Sequence, residues 1–408
     1  MKLDSDFVRA QFPAFKEPSL RDFAFFESAG GSFPCRYVTW RLNRFYRERK
    51  VQPYGPYSAS EKAGEEMDEA CQRLALILGV QPDEISFGPS TTANAYVMSQ
   101  AFREYLRPGD AIIVTNQDHE ANSGCWRRLE TSGIKVMEWC IDPQTGELDV
   151  DDLKDLLEDG RVRLVCFPHA SNVVGQINDA ARIVAMIQRA GAYACVDGVS
   201  YAPHGIPNVG KLGADIYFFS TYKTYGPHQG IMVVRRALAA RLPNQGHGFN
   251  DTFLSKRFTP AGPDHAQIAA CAGIADYVDA VYAHHMRAGR DAASRAAWVH
   301  DLMRAHETNL LAPLLDYLEY HPAVRLLGPT KAALRAPTVA VAHARPARDL
   351  AVALEPLGIF AEGGDFYAVR PLQAMGIDPA HGVLRLSFVH YTTAHEVSRL
   401  ITALDQVL

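Results

Sequence analysis

The chain predicts an α/β protein built on a mostly parallel sheet, and three observations lead there. First, short apolar runs rich in β-branched and aromatic residues recur along the first 235 positions: Ala111-Ile-Ile-Val-Thr115, Leu164-Val-Cys-Phe-Pro168, Tyr193-Ala-Cys-Val-Asp197, Ile216-Tyr-Phe-Phe219 and Ile231-Met-Val-Val234. Runs of this kind read as strands buried on both faces. Second, helical patterns lie between them, which indicates a parallel sheet covered on both sides. Third, the runs stop abruptly in polar residues. His119, Asn172, Asp197 and Lys223 each follow or end a buried strand. Ligands in parallel sheets gather at the carboxyl ends of the strands, so four polar groups on one edge mark a site.

A length of 408 residues is enough for two or three domains. Hydrophobic residues make up 48% and charged residues 21%, as in ordinary globular proteins. A net charge of −5 leaves no basic footprint for nucleic acid. There is no run of about 18 apolar residues, so no membrane partner or span is expected. The start, Met1-Lys-Leu-Asp-Ser-Asp6, has no apolar secretory core. Seven cysteines without a CxxC pair argue for a reducing, cytoplasmic setting and against a disulfide framework or a metal site.

In order, residues 4–20 read as a short helix and a proline-punctuated arm. Phe23-Ala-Phe-Phe26 is strand-like and leads into Glu27-Ser-Ala-Gly-Gly-Ser32, where Gly30-Gly31 would let backbone approach a ligand or simply turn. Residues 35–50 form a basic amphipathic helix with a solvated face. Residues 51–60 form an aromatic, Pro- and Gly-rich loop before a long helix over 61–78. Ile85-Ser-Phe-Gly-Pro-Ser-Thr-Thr-Ala-Asn94 passes from strand to turn to helix, with Ala93, Val97 and Ala101 as the helix stripe. Ser90, Thr91 and Thr92 sit at that helix start, where capping and anion binding both call for such residues. A helix over 179–190 precedes Tyr193–Asp197. Residues 244–265 form an ordered loop. Residues 266–308 read as a long Ala-rich connector helix. From 309 onward short strands and helices predict a smaller α/β domain, ending in a helix that starts at Thr392-Thr393. The expected division is an arm over 1–22 packed with the small domain, a large domain over 23–265, connecting helices over 266–308 and a small domain over 309–408.

Lys223, one of ten lysines, lies at the end of the buried run 216–219, after Ser220, Thr221 and Tyr222 and before Gly226-Pro227. Burying an ammonium costs several kcal/mol unless it is paired or converted, for instance to a Schiff base. Lysine, an aspartate ending a buried strand, a flat neutral histidine and a phosphate-binding helix start are the parts of a pyridoxal 5′-phosphate (PLP) site. Lys223 would hold the cofactor and shuttle the substrate Cα proton. Asp197 would pair with the ring nitrogen, His119 would stack on the ring and Asn172 would bond the 3′-oxygen. Ser90, Thr91 and Ser220 would take the phosphate.

The sequence resembles the class V aminotransferases of the fold type I (aspartate aminotransferase-like) PLP enzymes, near the cysteine desulfurases and isopenicillin N epimerases. The resemblance rests on Gly88-Pro-Ser-Thr-Thr92, Asp118-His119-Glu-Ala-Asn122, Ser171-Asn172-Val-Val-Gly175, Val196-Asp197-Gly-Val-Ser200, Ser220-Thr-Tyr-Lys223 with Gly226-Pro227, and Leu384-Arg385-Leu-Ser387. It implies a seven-stranded large-domain sheet, Lys223 as the Schiff-base lysine, and Arg385 gripping the substrate carboxylate with two parallel hydrogen bonds. It places Thr92, Ser200 and Tyr222 with the cofactor and Gly30 and Gly31 with the substrate. It further implies a homodimer with shared active sites, to which the 51–60 and 244–265 loops would contribute. Departures are equally informative. Desulfurases carry a persulfide-forming cysteine on a small-domain loop, yet no cysteine follows Cys271. Tyr367 stands about where one subgroup has it. Tyr222 stands where many have histidine, Ser200 where they have glutamine, and Ala261-Gly262-Pro263 replaces Gly-Thr-Pro.

The resulting expectation is a PLP-dependent enzyme that deprotonates an amino acid at Cα, a desulfurase-like C–S or β-elimination lyase without a persulfide relay. Transamination, epimerisation and true desulfuration are the alternatives. A non-catalytic PLP-fold scaffold is the reading from another class, and the retained lysine, aspartate, histidine and arginine argue against it. Tyr367 and His204 are left outside the predicted site.

Overall fold

The computed structural model describes residues 2–408. Its centre is a seven-stranded sheet in the order Ile85–Gly88, Gly230–Val234, Ile216–Ser220, Tyr193–Asp197, Val162–Pro168, Ala111–Thr115, Lys135–Trp139. Only Gly230–Val234 runs antiparallel to its neighbours; the other pairings are parallel. Side chains alternate between two cores, as the period of a strand requires. Ile113, Val165 and Val196 belong to one core with Leu153 of helix Val150–Leu157 and Ile183 of helix Ala180–Arg189. Ile112, Val114, Cys166, Cys195 and Phe218 pack against helix Thr91–Tyr105. Burial on both faces explains why these strands read as continuous apolar runs.

A second, antiparallel sheet takes the order Glu362–Gly364, Val383–Ser387, Thr338–His343, Val324–Leu327. Its own core gathers Val339, Leu350, Leu384, Leu386, Leu400 and Leu404. The terminal helix Ala394–Val407 starts where expected, with Thr393 and Glu396 forming a capping box.

Four features differ from the sequence expectation. Strand Ala24–Phe25, read as the start of the large domain, pairs in parallel with Ile359–Phe360 near the C-terminus. Backbone pairing of this kind leaves no mark in local sequence. The N-terminal arm does touch the small domain, through Arg9 and Glu396 at 2.9 Å, but Phe12 also packs on Tyr277 of the connecting helices. The connector is not one helix: it comprises His265–Ala270, Ala272–His285 and Ala292–Glu319, the last running past residue 308. Asp291 caps that last helix. Pro313 sits inside it, a residue that costs a helix interior about 3 kcal/mol; burial of Leu310, Leu311, Leu314, Leu315 and Leu318 offsets that cost. In helix Thr91–Tyr105 the buried stripe is Ala95, Met98, Ala101 and Phe102, with Ala93 and Val97 only half-buried at its margin. Among the described residues, no helix is long and apolar enough to cross a membrane.

Candidate active site

The carboxyl edge of the large sheet ends in a cavity, and the chain turns sharply to place Lys223 there. After strand Ile216–Ser220, residues Thr221–Lys223 form one 3₁₀ turn. Thr224 locks it, donating its backbone N–H to the Thr221 carbonyl and its hydroxyl to the Ser220 carbonyl at 3.1 Å. Tyr225 then adopts a left-handed backbone with φ 59°, its N–H held by Ser32 Oγ at 3.0 Å. Lys223 Nζ thus ends in the cavity with no ion-pair partner among the described residues. Burial, helped by the Arg385 charge, pulls its pKa down to about 8.

Asp197 ends the adjacent strand and lines the same cavity. Its Oδ1 accepts the Val199 N–H at 2.8 Å. Burial raises its pKa to about 6, while Val199 and Lys223 pull it back. His119 follows strand Ala111–Thr115. Its Nδ1 accepts the Ala121 N–H at 3.0 Å, which leaves Nε2 as the protonated nitrogen of the neutral ring. Burial, then the charges of Lys223 and Arg385, lower its pKa to about 3, so the ring stays neutral.

Ser90, Thr91, Thr92, Asn172, Ser200, Ser220 and Tyr222 line the cavity with Lys223, His119 and Asp197. Ten predicted residues from separate stretches of chain therefore meet in one place. Ser90 caps helix Thr91–Tyr105 through the Ala93 N–H, and Thr91 Oγ1 lies 2.7 Å from Ser220 Oγ. Gly230 is required here: a Cβ on it would strike the backbone of Ser90 and Thr91. Asn172 Nδ2 donates to the Phe366 carbonyl at 3.0 Å, and its Oδ1 is buried without a partner among the described residues.

Arg385 and the glycine pair fall elsewhere. Arg385 rises from the small sheet, is 3% exposed, and donates from Nη1 to the Asn172 carbonyl at 3.2 Å. Gly30 and Gly31 do not line the cavity. A Cβ on Gly30 would collide with Glu27 Oε1, and Gly31 lies against the Tyr222 ring. Their openness accommodates side chains of the protein itself.

Sequence reasoning missed four neighbours. His228 lines the cavity and stacks on Tyr222, with ring centroids 4.7 Å apart. Asp118 also lines the cavity; burial and the Asp197 charge hold its carboxyl well above the usual range, and Asn122 donates to it at 2.7 Å. Its place after a buried strand was the available signal. Glu27 and Phe366 contact Arg385 across more than 300 residues and 19 residues of sequence respectively, and only folding shows them. Tyr367 places its ring 5.5 Å from His119 but is 73% exposed. His204 instead pairs with Glu307 at 3.1 Å.

The pattern described for class V aminotransferases matches residues 24–400. The chain belongs to the class V aminotransferase family. Among its relatives is an aminotransferase-like protein, FGM3, of Gibberella zeae, 32% identical over 98% of each chain. A cysteine desulfurase of Serratia proteamaculans is 28% identical over 98% of this chain and 97% of its own. Among solved structures, the apo cysteine desulfurase of Thermococcus onnurineus superposes with a TM-score of 0.86 at 22% identity, covering 100% of this chain and 98% of that one. That likeness establishes the fold, the fold type I architecture of PLP enzymes.

Members of this family are PLP-dependent enzymes, and the residues present fit that cofactor. A buried amine without an ion-pair partner among the described residues, a carboxylate on the neighbouring strand, a neutral imidazole, the Asn172 side-chain amide and a helix N-terminus with hydroxyls all face one cavity. Each offers a group that PLP requires.

Proposed function

We propose that this enzyme acts on an amino acid by removing its Cα proton, as a desulfurase-like lyase that eliminates at Cβ or breaks a C–S bond without a persulfide relay. One observation carries the last clause. No cysteine lies beyond Cys271, and none of the seven lines the cavity. Nor is a thiolate ready elsewhere: burial pushes Cys35 and Cys71 up to about 12, and Cys140 is also raised. The small-domain segment at the cavity mouth offers the Tyr367 ring instead.

Lys223 would hold the cofactor, and once released would take the Cα proton; a pKa near 8 suits a base at neutral pH. Asp197 would meet the ring nitrogen, His119 the ring face and the Asn172 side-chain amide the 3′-oxygen. Ser90, Thr91, Thr92 and Ser220 would take the phosphate, with Ser200 and Tyr222 beside them. Bound PLP supplies an electron sink that weakens the bonds at the substrate Cα. Arg385 would orient the substrate carboxylate. Transamination is the second reading, favoured by the FGM3 relative's description.

We also infer a cytoplasmic homodimer. Tyr54, Tyr57, Phe249 and Phe253 are more than half exposed on the 51–60 and 244–265 loops, apolar surface that a second copy would cover. A light-scattering mass of one chain would overturn this.

The decisive experiment scans L-amino acids and their sulfur derivatives against the loaded protein and identifies products. Pyruvate or a sulfur species supports the lyase, a keto acid with amino-group transfer supports transamination, and a D-isomer supports epimerisation. Lys223→Ala should lower the rate by about 10²–10⁴-fold and abolish the borohydride-sensitive cofactor absorbance. Retention of that absorbance would move the anchor to another lysine.

A further inference from the structure

Arg385 is held by an ion pair that is only half made. Its Nη2 donates to Glu27 Oε1 at 2.6 Å, yet Glu27 Oε2 and Arg385 Nε are both buried without a partner among the described residues. Nε and Nη2 share one edge of the guanidinium, the edge that grips a carboxylate with two parallel bonds. Glu27 engages Nη2 of that edge, while Nε has no partner among the described residues. The guanidinium is otherwise fixed: Nη1 donates to the Asn172 carbonyl, and Cζ lies 3.7 Å over the Phe366 ring. Its place is set without Glu27. Gly30 leaves the space that the Glu27 carboxylate enters, since a Cβ there would collide with Oε1.

We propose that Glu27 is a built-in stand-in for the substrate carboxylate, and that a carboxylate-bearing amine must displace it from the Nε–Nη2 edge of Arg385 to bind. Glu27 then sets specificity: it raises the affinity a carboxylate needs and excludes weakly held anions. This inference rests on the reading that Arg385 serves the substrate of a PLP site.

The test needs no knowledge of the natural substrate. Amino-oxyacetate and methoxyamine would each attack the imine carbon held by Lys223, forming an oxime, freeing the Lys223 amine and changing the absorbance, but only amino-oxyacetate carries a carboxylate. Each is titrated into the cofactor-loaded protein and the two affinities are compared. Glu27→Gln should tighten amino-oxyacetate by about fivefold to tenfold relative to methoxyamine, the scale of one charge-assisted hydrogen bond. Gly30→Ala, which pushes the Glu27 carboxylate aside without removing it, should shift the same ratio in the same direction. An unchanged or lowered ratio in both variants overturns the proposal, because Glu27 would then be an incidental or supporting contact of Arg385. If neither reagent changes the absorbance of the wild-type protein, the cofactor reading fails and takes this inference with it. If methoxyamine reacts but Arg385→Ala leaves the ratio untouched, Arg385 does not face the substrate, and only the carboxylate assignment falls.

Discussion

Two arginines are buried near the small sheet, and they are treated in opposite ways. Arg335 is completely buried. Its Nε, Nη1 and Nη2 donate to the carbonyls of Thr338, Pro329 and Leu327 at 3.1, 2.7 and 2.6 Å. Burial lowers its pKa to about 9, partly countered by Glu147. Each of its three nitrogens has a backbone carbonyl acceptor, so this arginine ties a turn to the sheet. Arg385, on Val383–Ser387 of that sheet, has Nε without a partner among the described residues and shares Nη2 with a carboxylate whose second oxygen is also unpartnered. The fold completes a buried charge at Arg335 and leaves one incomplete at Arg385, where the proposed substrate carboxylate would finish it. Lys223 belongs to the second kind.

This contrast can be broken by experiment. The largest effect is expected at Arg335. Arg335→Met leaves three buried carbonyls without a donor and should cost about 3–5 kcal/mol of stability, read by denaturant unfolding, while the activity of each folded molecule stays near wild type. A loss below about 1 kcal/mol would mean that the carbonyls find water and that the two arginines are not opposites.

Next comes Lys223. In the cofactor-free protein the folded pKa of about 8 lies below the unfolded value near 10.4. Between those pH values the folded state binds fewer protons than the unfolded chain. The lysine's contribution to stability therefore rises with pH across the window, and below about 8 the buried ammonium is a net cost. Lys223→Met should be more stable than wild type by about 3 kcal/mol at pH 7, with the advantage shrinking toward pH 10. An advantage independent of pH would show that no ammonium is buried in the apo fold.

The smallest effect is expected at Arg385 itself. Arg385→Ala should raise KM for carboxylate-bearing substrates by about tenfold to a hundredfold and cost less stability than Arg335→Met, since Glu27 can protonate when left alone. Burial already raises the Glu27 pKa. An unchanged KM would argue that the substrate is not an α-amino acid.

Sequence alone determined the large sheet and most of the cavity. Strands buried on both faces cannot alternate, so they announce themselves as apolar runs, and a parallel topology must bring their carboxyl ends together. His119, Asn172, Asp197 and Lys223 were legible for that reason, and Ser90 to Thr92 because a helix start has its own chemistry. The helix capped by Thr393 was legible for the same local reason. Tertiary structure alone decided the rest. The pairing of Ala24–Phe25 with Ile359–Phe360, the helix that runs through Pro313, and the meeting of Glu27 with Arg385 depend on contacts between distant segments. Such contacts carry no local period. Gly30 shows the limit most plainly: a glycine pair can be read as room for something, but only the folded chain shows that the occupant is Glu27.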